Sequence, residues 1–285
     1  MTISVNSKKK QVKKSFDELL MDLKTSNSEK VRYNGARILG EMGDSKAVEP
    51  LIEVLKHDKN GSVRLYAARA LGELGDSKAT MHLIESLRED RNVDVRVRAA
   101  RALGRLGGAI VVEPLVEALN DENPQVCITA TDALIEIGDV ATDALIESLD
   151  HEKVNVRCDA TRALGEIGNK KAVDKVISML YDEWVNVRIY AVTSLGKLND
   201  VKAVPALIDV MKNREENELV RAGAAAALGV LRDQRALLPL RELIMEAEEL
   251  GELEDTALKS FKKIMAANWQ SIPGATAQRK PVATL

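Results

Sequence analysis

The sequence predicts an all-α protein, an α-solenoid (superhelix) of about eight antiparallel helix pairs. The first observation is a phrase of the form V-R-x-x-A-A-x-A-L-G-x-L-G-D that recurs seven times, its opening valines 30 to 33 residues apart. A period of this length is typical of stacked supersecondary units. The second observation is a composition of 45% hydrophobic but only 3% aromatic residues, which favours thin aliphatic layers over a large ligand-enclosing core. The valines are Val31, Val63, Val95, Val126, Val156, Val187 and Val220.

The repeated phrase is predicted to form the second helix of each pair. With its first valine counted as position 0, apolar residues recur at positions 0, 4, 7, 8 and 11. A helix advances about 100° per residue, so these positions form one stripe. In the second copy they are Val63, Ala67, Ala70, Leu71 and Leu74. Positions 5 and 9 beside the stripe are small, and we expect them to let a neighbouring helix approach closely.

The residues after each phrase predict where one helix ends and the next begins. Gly43 and Gly75 stand where a left-handed C-terminal cap is expected. Asp44 and Asp76 follow as N-caps for the next helix, and apolar segments such as AVEPLIEVL come after them. Each unit is therefore predicted to be two short antiparallel helices joined by tight turns.

The two ends of the chain lack the consensus and are predicted to differ from the repeats. The segments at about 12–30 and 235–268 are expected to be capping units of a single solenoid over 12–268, with its first helix at 12–24 and its last at 253–268. Residues 1–11 are predicted to be a basic disordered leader, and residues 269–285 a disordered tail.

The combined pattern identifies a family resemblance. G-D-x-x-A-V-x-x-L-I-x-x-L-x-D followed by V-R-x-x-A-A-x-A-L-G-x-I-G covers about residues 31–245 and resembles the HEAT-like repeats of the phycobilisome-lyase type. The resemblance implies the solenoid fold, with the second helices lining a concave face. Proteins similar to it include chromophore lyases, metal-dependent hydroxylases and scaffolds without chemistry.

The hydroxylase activity is excluded by the histidines. A deoxyhypusine hydroxylase of similar fold holds two irons with four His-Glu dipeptides, whereas this chain has three histidines and one such dipeptide, His151-Glu152. His151 is expected to be a solvated turn residue. Cys127 and Cys158 lack the neighbours of a metal site or a nucleophile. No catalytic residue, metal or cofactor is therefore predicted.

Arginine at position 1 of the phrase recurs in six of the seven copies. We expect a structural ladder in which each guanidinium bridges an interhelical aspartate and helix-end carbonyls between repeats. The arginines are Arg32, Arg64, Arg96, Arg157, Arg188 and Arg221.

The predicted binding surface is formed by positions -1, 3, 6 and 10 of the second helices, which vary from copy to copy. In the third copy Arg98, Arg101 and Arg105 share one face without an in-line acid. Arg69 of the preceding copy extends this patch, which is predicted to anchor an acidic partner segment. The other predicted partner-binding residues are Tyr66 and Tyr190, because aromatic and arginine side chains dominate many interfaces.

The seventh copy carries an apolar set at the same positions. We expect the C-terminal helix to cover these residues; a second, hydrophobic contact site is the alternative. They are Leu219, Gly223, Ala226 and Val230.

The bulk properties favour a protein partner. A net charge of -3 and a pI of about 5.8 argue against nucleic acid and anionic membrane. Two cysteines and a start unlike a signal peptide favour the cytoplasm. The sequence therefore predicts a non-catalytic protein-binding scaffold or adaptor that uses the concave face. The alternative is a lyase-like or maturation factor that holds a cofactor or a modified substrate protein, with Tyr33, Tyr66 and Tyr190 as possible tetrapyrrole-lining residues spread over distant repeats. The oligomeric state is not indicated.

Overall fold

The computed structural model describes residues 14–246 and 251–270, and across these two ranges it contains α-helices and short 3-10 turns but no strand. The all-α prediction is thus confirmed. The helices belong to two compact units, one ending at Leu106 and one beginning at Gly107. Each unit is built from helix pairs of the predicted kind.

The first unit contains three helix pairs. In each pair the first helix packs against the second, and the second helices α2, α4 and α6 pack side by side. The pairs are α1 (Phe16–Thr25) with α2 (Glu29–Met42), α3 (Val48–His57) with α4 (Gly61–Leu74), and α5 (Thr80–Glu89) with α6 (Val93–Leu106).

The second unit contains five helix pairs, so that the described residues form eight in all, as predicted. Two of its first helices, α7 and α11, are short and continue as 3-10 turns at Ala118–Asn120 and Met179–Tyr181. The pairs are α7 (Val112–Glu117) with α8 (Pro124–Ile137), α9 (Thr142–Ser148) with α10 (Val154–Ile167), α11 (Val173–Ser178) with α12 (Val185–Leu198), α13 (Val204–Lys212) with α14 (Glu218–Leu231), and α15 (Leu237–Met245) with α16 (Glu252–Gln270).

The ends of the fold differ slightly from the predicted bounds. Helix α1 begins after Ser15, whose hydroxyl accepts a hydrogen bond from the Glu18 amide while the Glu18 carboxylate accepts one from the Ser15 amide. This capping box explains why the helix does not begin at residue 12. The predicted leader at 1–11 lies outside the described residues. So does the predicted tail, except that residues 269 and 270 complete α16.

The glycine at position 9 sets the separation of neighbouring second helices. A Cβ atom built on Gly72 would lie 2.7 Å from the Cβ of Ala102 on α6, and one built on Gly40 would lie 2.7 Å from the Cβ of Ala70 on α4. Only glycine allows so close an approach, which confirms the predicted role of position 9 in these two copies. Side chains on adjacent second helices are brought close together as a result.

Candidate protein-binding surface

Four of the six position-1 arginines, Arg32, Arg64, Arg96 and Arg157, are buried, and Arg221 donates from Nε to the Met211 carbonyl at 3.0 Å. The Nε and Nη2 atoms of Arg64 donate to the two carboxylate oxygens of Asp90, each at 2.7 Å, and Nη1 donates to the Asp58 carbonyl at 2.8 Å. The two side chains are 9% and 8% exposed. The hydrogen bond to Asp90 raises the pKa of Arg64. The same arrangement joins Arg32 to Asp58 and Arg157 to Asp182, and Arg188 forms an ion pair with Glu216.

The predicted ladder is confirmed, and the structure shows which of the interhelical aspartates take part. Asp90 lies in the turn between the two helices of the next repeat, and not after the glycine that ends a second helix. Asp76, which does follow such a glycine, instead accepts a hydrogen bond from the Lys78 amide at 2.9 Å and caps the 3-10 turn Ser77–Ala79. The guanidinium groups of Arg32, Arg64 and Arg157 each bond both a carboxylate and a backbone carbonyl and are unsuited to binding a ligand, whereas the buried Nε of Arg188 has no hydrogen-bond partner within the described residues.

Four other arginines line one groove on the first unit. This arginine groove, between α4 and α6, has a volume of about 200 Å³ and is lined by Arg69, Glu73, Arg98, Arg101 and Arg105, with Gly72 and Ala102 at its floor. The close contact of Gly72 with Ala102 brings the two helices together there. The structure therefore unites the four predicted arginines.

The charges of the arginine groove are unbalanced. Nε of Arg69 is 2.8 Å from the Glu73 carboxylate, and this hydrogen bond raises the pKa of Arg69. Arg98, Arg101 and Arg105 form no hydrogen bond or ion pair with any residue in the described part of the chain. In α2, by contrast, Arg37 is 2.6 Å from Glu41. The third copy lacks that pair because Arg105 occupies the position of the glutamate.

The two predicted tyrosines lie in different units. Tyr66 is half-buried on α4, one helical turn before Arg69, and its ring stacks on Tyr33 of α2 with centroids 5.2 Å apart and planes 20° apart. Tyr33 and Tyr66 are therefore in contact on neighbouring repeats, and the expectation that they are spread over distant repeats is wrong. Tyr190 is 38% exposed on α12 and belongs to a separate groove of the second unit. The sequence did not predict the contact between Tyr33 and Tyr66, because Tyr33 stands at position 2 of its repeat and Tyr66 at position 3 of the next.

The apolar set of the seventh copy is exposed. Leu219 is 58% and Val230 49% exposed, so the expectation that the C-terminal helix covers them is wrong. Helix α16 packs beside α14 as the next second helix: a Cβ on Gly229 would lie 2.6 Å from the Cβ of Ser260. A helix in that place extends the row and leaves the variable face of α14 uncovered.

His151 lies in a turn, and Cys127 and Cys158 are buried. Nδ1 of His151 accepts a hydrogen bond from the Lys153 amide at 3.0 Å, so His151 is an ordinary turn residue. Burial raises the pKa of the Cys158 thiol to about 11 and also raises the pKa of Cys127. Within the described ranges, no group of three or more His, Cys, Asp or Glu residues is arranged to hold a metal.

The fold and its repeated helix pairs define an α-solenoid repeat protein. The profile of the family described as HEAT repeats matches residues 16–103, 80–154, 112–189, 142–215 and 174–262. The chain belongs to the HEAT repeat family. A comparison with curated proteins finds no match.

Several solved structures share this fold. Kap121p bound to the extreme C-terminus of the phosphatase Cdc14p is 14% identical with a TM-score of 0.65, over 88% of this chain and 34% of that one. Importin beta is 13% identical with a TM-score of 0.62, over 88% of this chain and 41% of that one. The CpcE–CpcF complex of phycocyanin lyase from a Nostoc species is 22% identical with a TM-score of 0.47, over 93% of this chain and 100% of that one. At these identities the likeness to Kap121p and importin beta establishes the fold alone.

Each helix in the described ranges is too short or too polar to cross a bilayer.

Proposed function

We propose that this protein is a non-catalytic binding scaffold whose arginine groove holds an acidic segment of a partner protein. The observation that carries the proposal is the unbalanced charge of the groove. Four guanidinium groups face one carboxylate, and three of the four have no partner within the described residues. Like charges held this close repel one another, and a bound carboxylate would relieve that repulsion.

The chemistry of arginine favours a carboxylate-bearing ligand. A guanidinium group presents its donors in a planar fork that matches the two oxygens of a carboxylate. The groove arginines project from two packed helices, and sites on helices hold their geometry better than sites on loops. Kap121p, which shares the fold, holds a protein C-terminus in its structure, and this supports a segment of a partner protein as the ligand by analogy of fold only. The two free cysteines support a reducing, cytoplasmic setting.

A second candidate function is supported by the tyrosine stack. The parallel rings of Tyr33 and Tyr66 present a flat aromatic surface one helical turn from Arg69. Such a surface suits a planar ligand, as a lyase-like or maturation factor holding a cofactor or a modified substrate protein would require. The visible absorption spectrum of protein purified from its source tests this function: a bound chromophore would favour it over the scaffold.

The scaffold is tested by fluorescence anisotropy with a labelled peptide rich in aspartate and glutamate. We expect the triple variant Arg98→Glu/Arg101→Glu/Arg105→Glu to weaken binding at least tenfold, because three charge-assisted contacts are reversed. A control variant carries the same charge change at three exposed lysines of the same unit, Lys46, Lys56 and Lys59, and should bind as wild type does. Binding should also weaken steeply with salt.

The single variant Arg105→Glu separates binding from folding. It restores the glutamate of the repeat, so Arg101 gains an i,i+4 partner worth about 0.2–0.5 kcal/mol. The variant should be as stable as wild type or slightly more so in urea unfolding, while its affinity for the acidic peptide falls. If the wild type does not bind the acidic peptide, or binds it no better than the triple variant does, the proposal is wrong.

A further inference from the structure

The second unit contains a groove where the arginine ladder is interrupted. Cys127 of α8 takes the place of the position-1 arginine, and its thiol donates to the Asp121 carbonyl at 3.3 Å. His151 occupies the turn position of the ladder aspartates, and its Nδ1 accepts the amide hydrogen bond that Asp182 accepts in the next repeat; the neighbouring Asp150 is 69% exposed and binds Lys175 at 2.6 Å. A thiol is much shorter than an arginine side chain, so space remains open beside the first turn of α8.

This space is part of a groove of about 490 Å³ across the first turns of α8, α10 and α12, which we call the Asp159 groove. Its apolar lining includes Ile128, Ile189 and Tyr190, and Ile128 is 46% exposed. The charged residues in its lining are Asp121, Glu122 and Asp159; all are acidic, and Asp121 and Glu122 already interact with other residues of the chain. The groove therefore combines exposed apolar surface with negative charge.

Asp159 is the carboxylate of this groove that lacks a partner. It is half-buried and forms no hydrogen bond or ion pair within the described part of the chain. Arg162, one turn further along α10, is 3.4 Å from Asp132 instead. Burial raises the pKa of Asp159. The charge of Arg162 offsets only part of this cost, and the charge of Asp132 adds to it. The half-buried carboxylate is therefore held at a cost in free energy that a bound cation would reduce.

Carboxamide side chains form a row along the same helix ends. Gln125, Asn155 and Asn186 occupy position -1 of α8, α10 and α12, and within the described residues their side chains form no hydrogen bond. Of the three, Asn155 and Asn186 line the groove. A carboxamide both donates and accepts, so it can pair with a peptide backbone. Packed helices are about 8–10 Å apart, a distance that an extended chain covers in about three residues.

We propose that the Asp159 groove binds an extended segment of a partner protein that carries a lysine or arginine flanked by apolar side chains. The cation pairs with Asp159, the apolar side chains contact Ile128, Ile189 and Tyr190, and the carboxamides bind the backbone. The inference rests on the proposed protein-binding function but not on the arginine groove. The two sites take segments of opposite charge.

The test uses three labelled peptides of equal length in anisotropy titrations. One alternates lysine with valine and leucine, the second has glutamate in place of lysine, and the third has serine in place of the apolar residues. We expect the first to bind wild type most tightly. Asp159→Asn should weaken that binding about tenfold, the loss expected when a charge-assisted hydrogen bond is removed.

Two controls make the result decisive. Asp209→Asn removes the same charge from the exposed face of α13 and should leave binding unchanged. Asp159→Asn is nearly isosteric and removes a partly desolvated charge, so thermal unfolding should show an intact fold. Hydrogen exchange with the first peptide bound should slow at the starts of α8, α10 and α12.

Three outcomes would overturn the proposal: no binding of the first peptide to wild type, equal binding to Asp159→Asn, or equal affinity for the glutamate peptide. The arginine-groove triple variant is titrated with the same peptides. If this variant still binds the lysine peptide and wild type does not bind the acidic peptide, the proposal for the arginine groove is wrong and the proposal for the Asp159 groove is supported.

Discussion

Each groove lies on second helices of its own unit, but the two occupy different stretches of those helices and depart from the repeat in different ways. In the arginine groove the ladder is intact at Arg64, and the departure is Arg105, which replaces a surface glutamate. In the Asp159 groove the departure is Cys127, which removes a ladder arginine. A surface change reverses local charge and leaves the core intact, whereas a ladder change opens space. Both proposed binding surfaces therefore lie where a repeat position departs from the consensus.

The largest expected effect tests whether the ladder arginines contribute more to stability than the groove arginines do. Arg64→Ala leaves Asp90 buried without its partner, which should lower the free energy of unfolding by about 3–5 kcal/mol. The matched variant Arg101→Ala removes an exposed side chain without an ion pair in the described residues and should change it by less than about 0.5 kcal/mol. Urea unfolding measures both. If the two variants lower the free energy of unfolding by similar amounts, the ladder arginines and the groove arginines do not differ in their contribution to stability.

A smaller effect compares the same glycine position in the two units. Gly72→Ala should destabilise the fold by about 1–3 kcal/mol, because the new Cβ would lie 2.7 Å from Ala102. Gly196→Ala meets Ala227 at an ordinary 3.5 Å, so its better helix propensity should stabilise the fold by up to about 1 kcal/mol. Thermal unfolding of the two variants should therefore shift in opposite directions. Two shifts of the same sign would show that close helix approach does not govern this position.

Much of this comparison could be predicted from the sequence. The repeat register located the second helices, the ladder arginines and the cluster of Arg98, Arg101 and Arg105, since all depend on one helical period. The partner of Arg64 could not be predicted, because it lies in a turn 26 residues away whose position depends on how two repeats stack.

Other features of the surface also depend on tertiary structure. The exposure of Leu219 depends on whether α16 lies beside α14 or across it, and both positions bury the same apolar stripe. The Asp159 groove had one sequence signal, the cysteine at an arginine position, but its lining comes from three helices.

The smallest expected effect contrasts two aspartates whose pKa values shift in opposite directions. Burial raises the pKa of Asp159. For Asp58, burial alone would raise the pKa, but the hydrogen bond from Arg32 and further favourable contacts outweigh it, and the pKa is lowered. A raised pKa means that the fold favours the protonated carboxyl. Its contribution to the free energy of unfolding is therefore present at low pH and lost as pH rises through the pKa of the folded state. A lowered pKa gives a contribution that is present above the ordinary value of about 3.9 and lost as pH falls.

The two aspartate-to-asparagine variants should therefore respond to pH with opposite signs. As pH rises from about 4 to about 7, Asp159→Asn should gain stability relative to wild type, and Asp58→Asn should lose stability relative to wild type. Urea unfolding across that range measures the difference. With the lysine peptide bound, the advantage of Asp159→Asn should shrink or reverse, because the bound cation stabilises the wild-type carboxylate. If the gain is independent of pH, Asp159 is already compensated in the free protein and has no need of a cationic ligand.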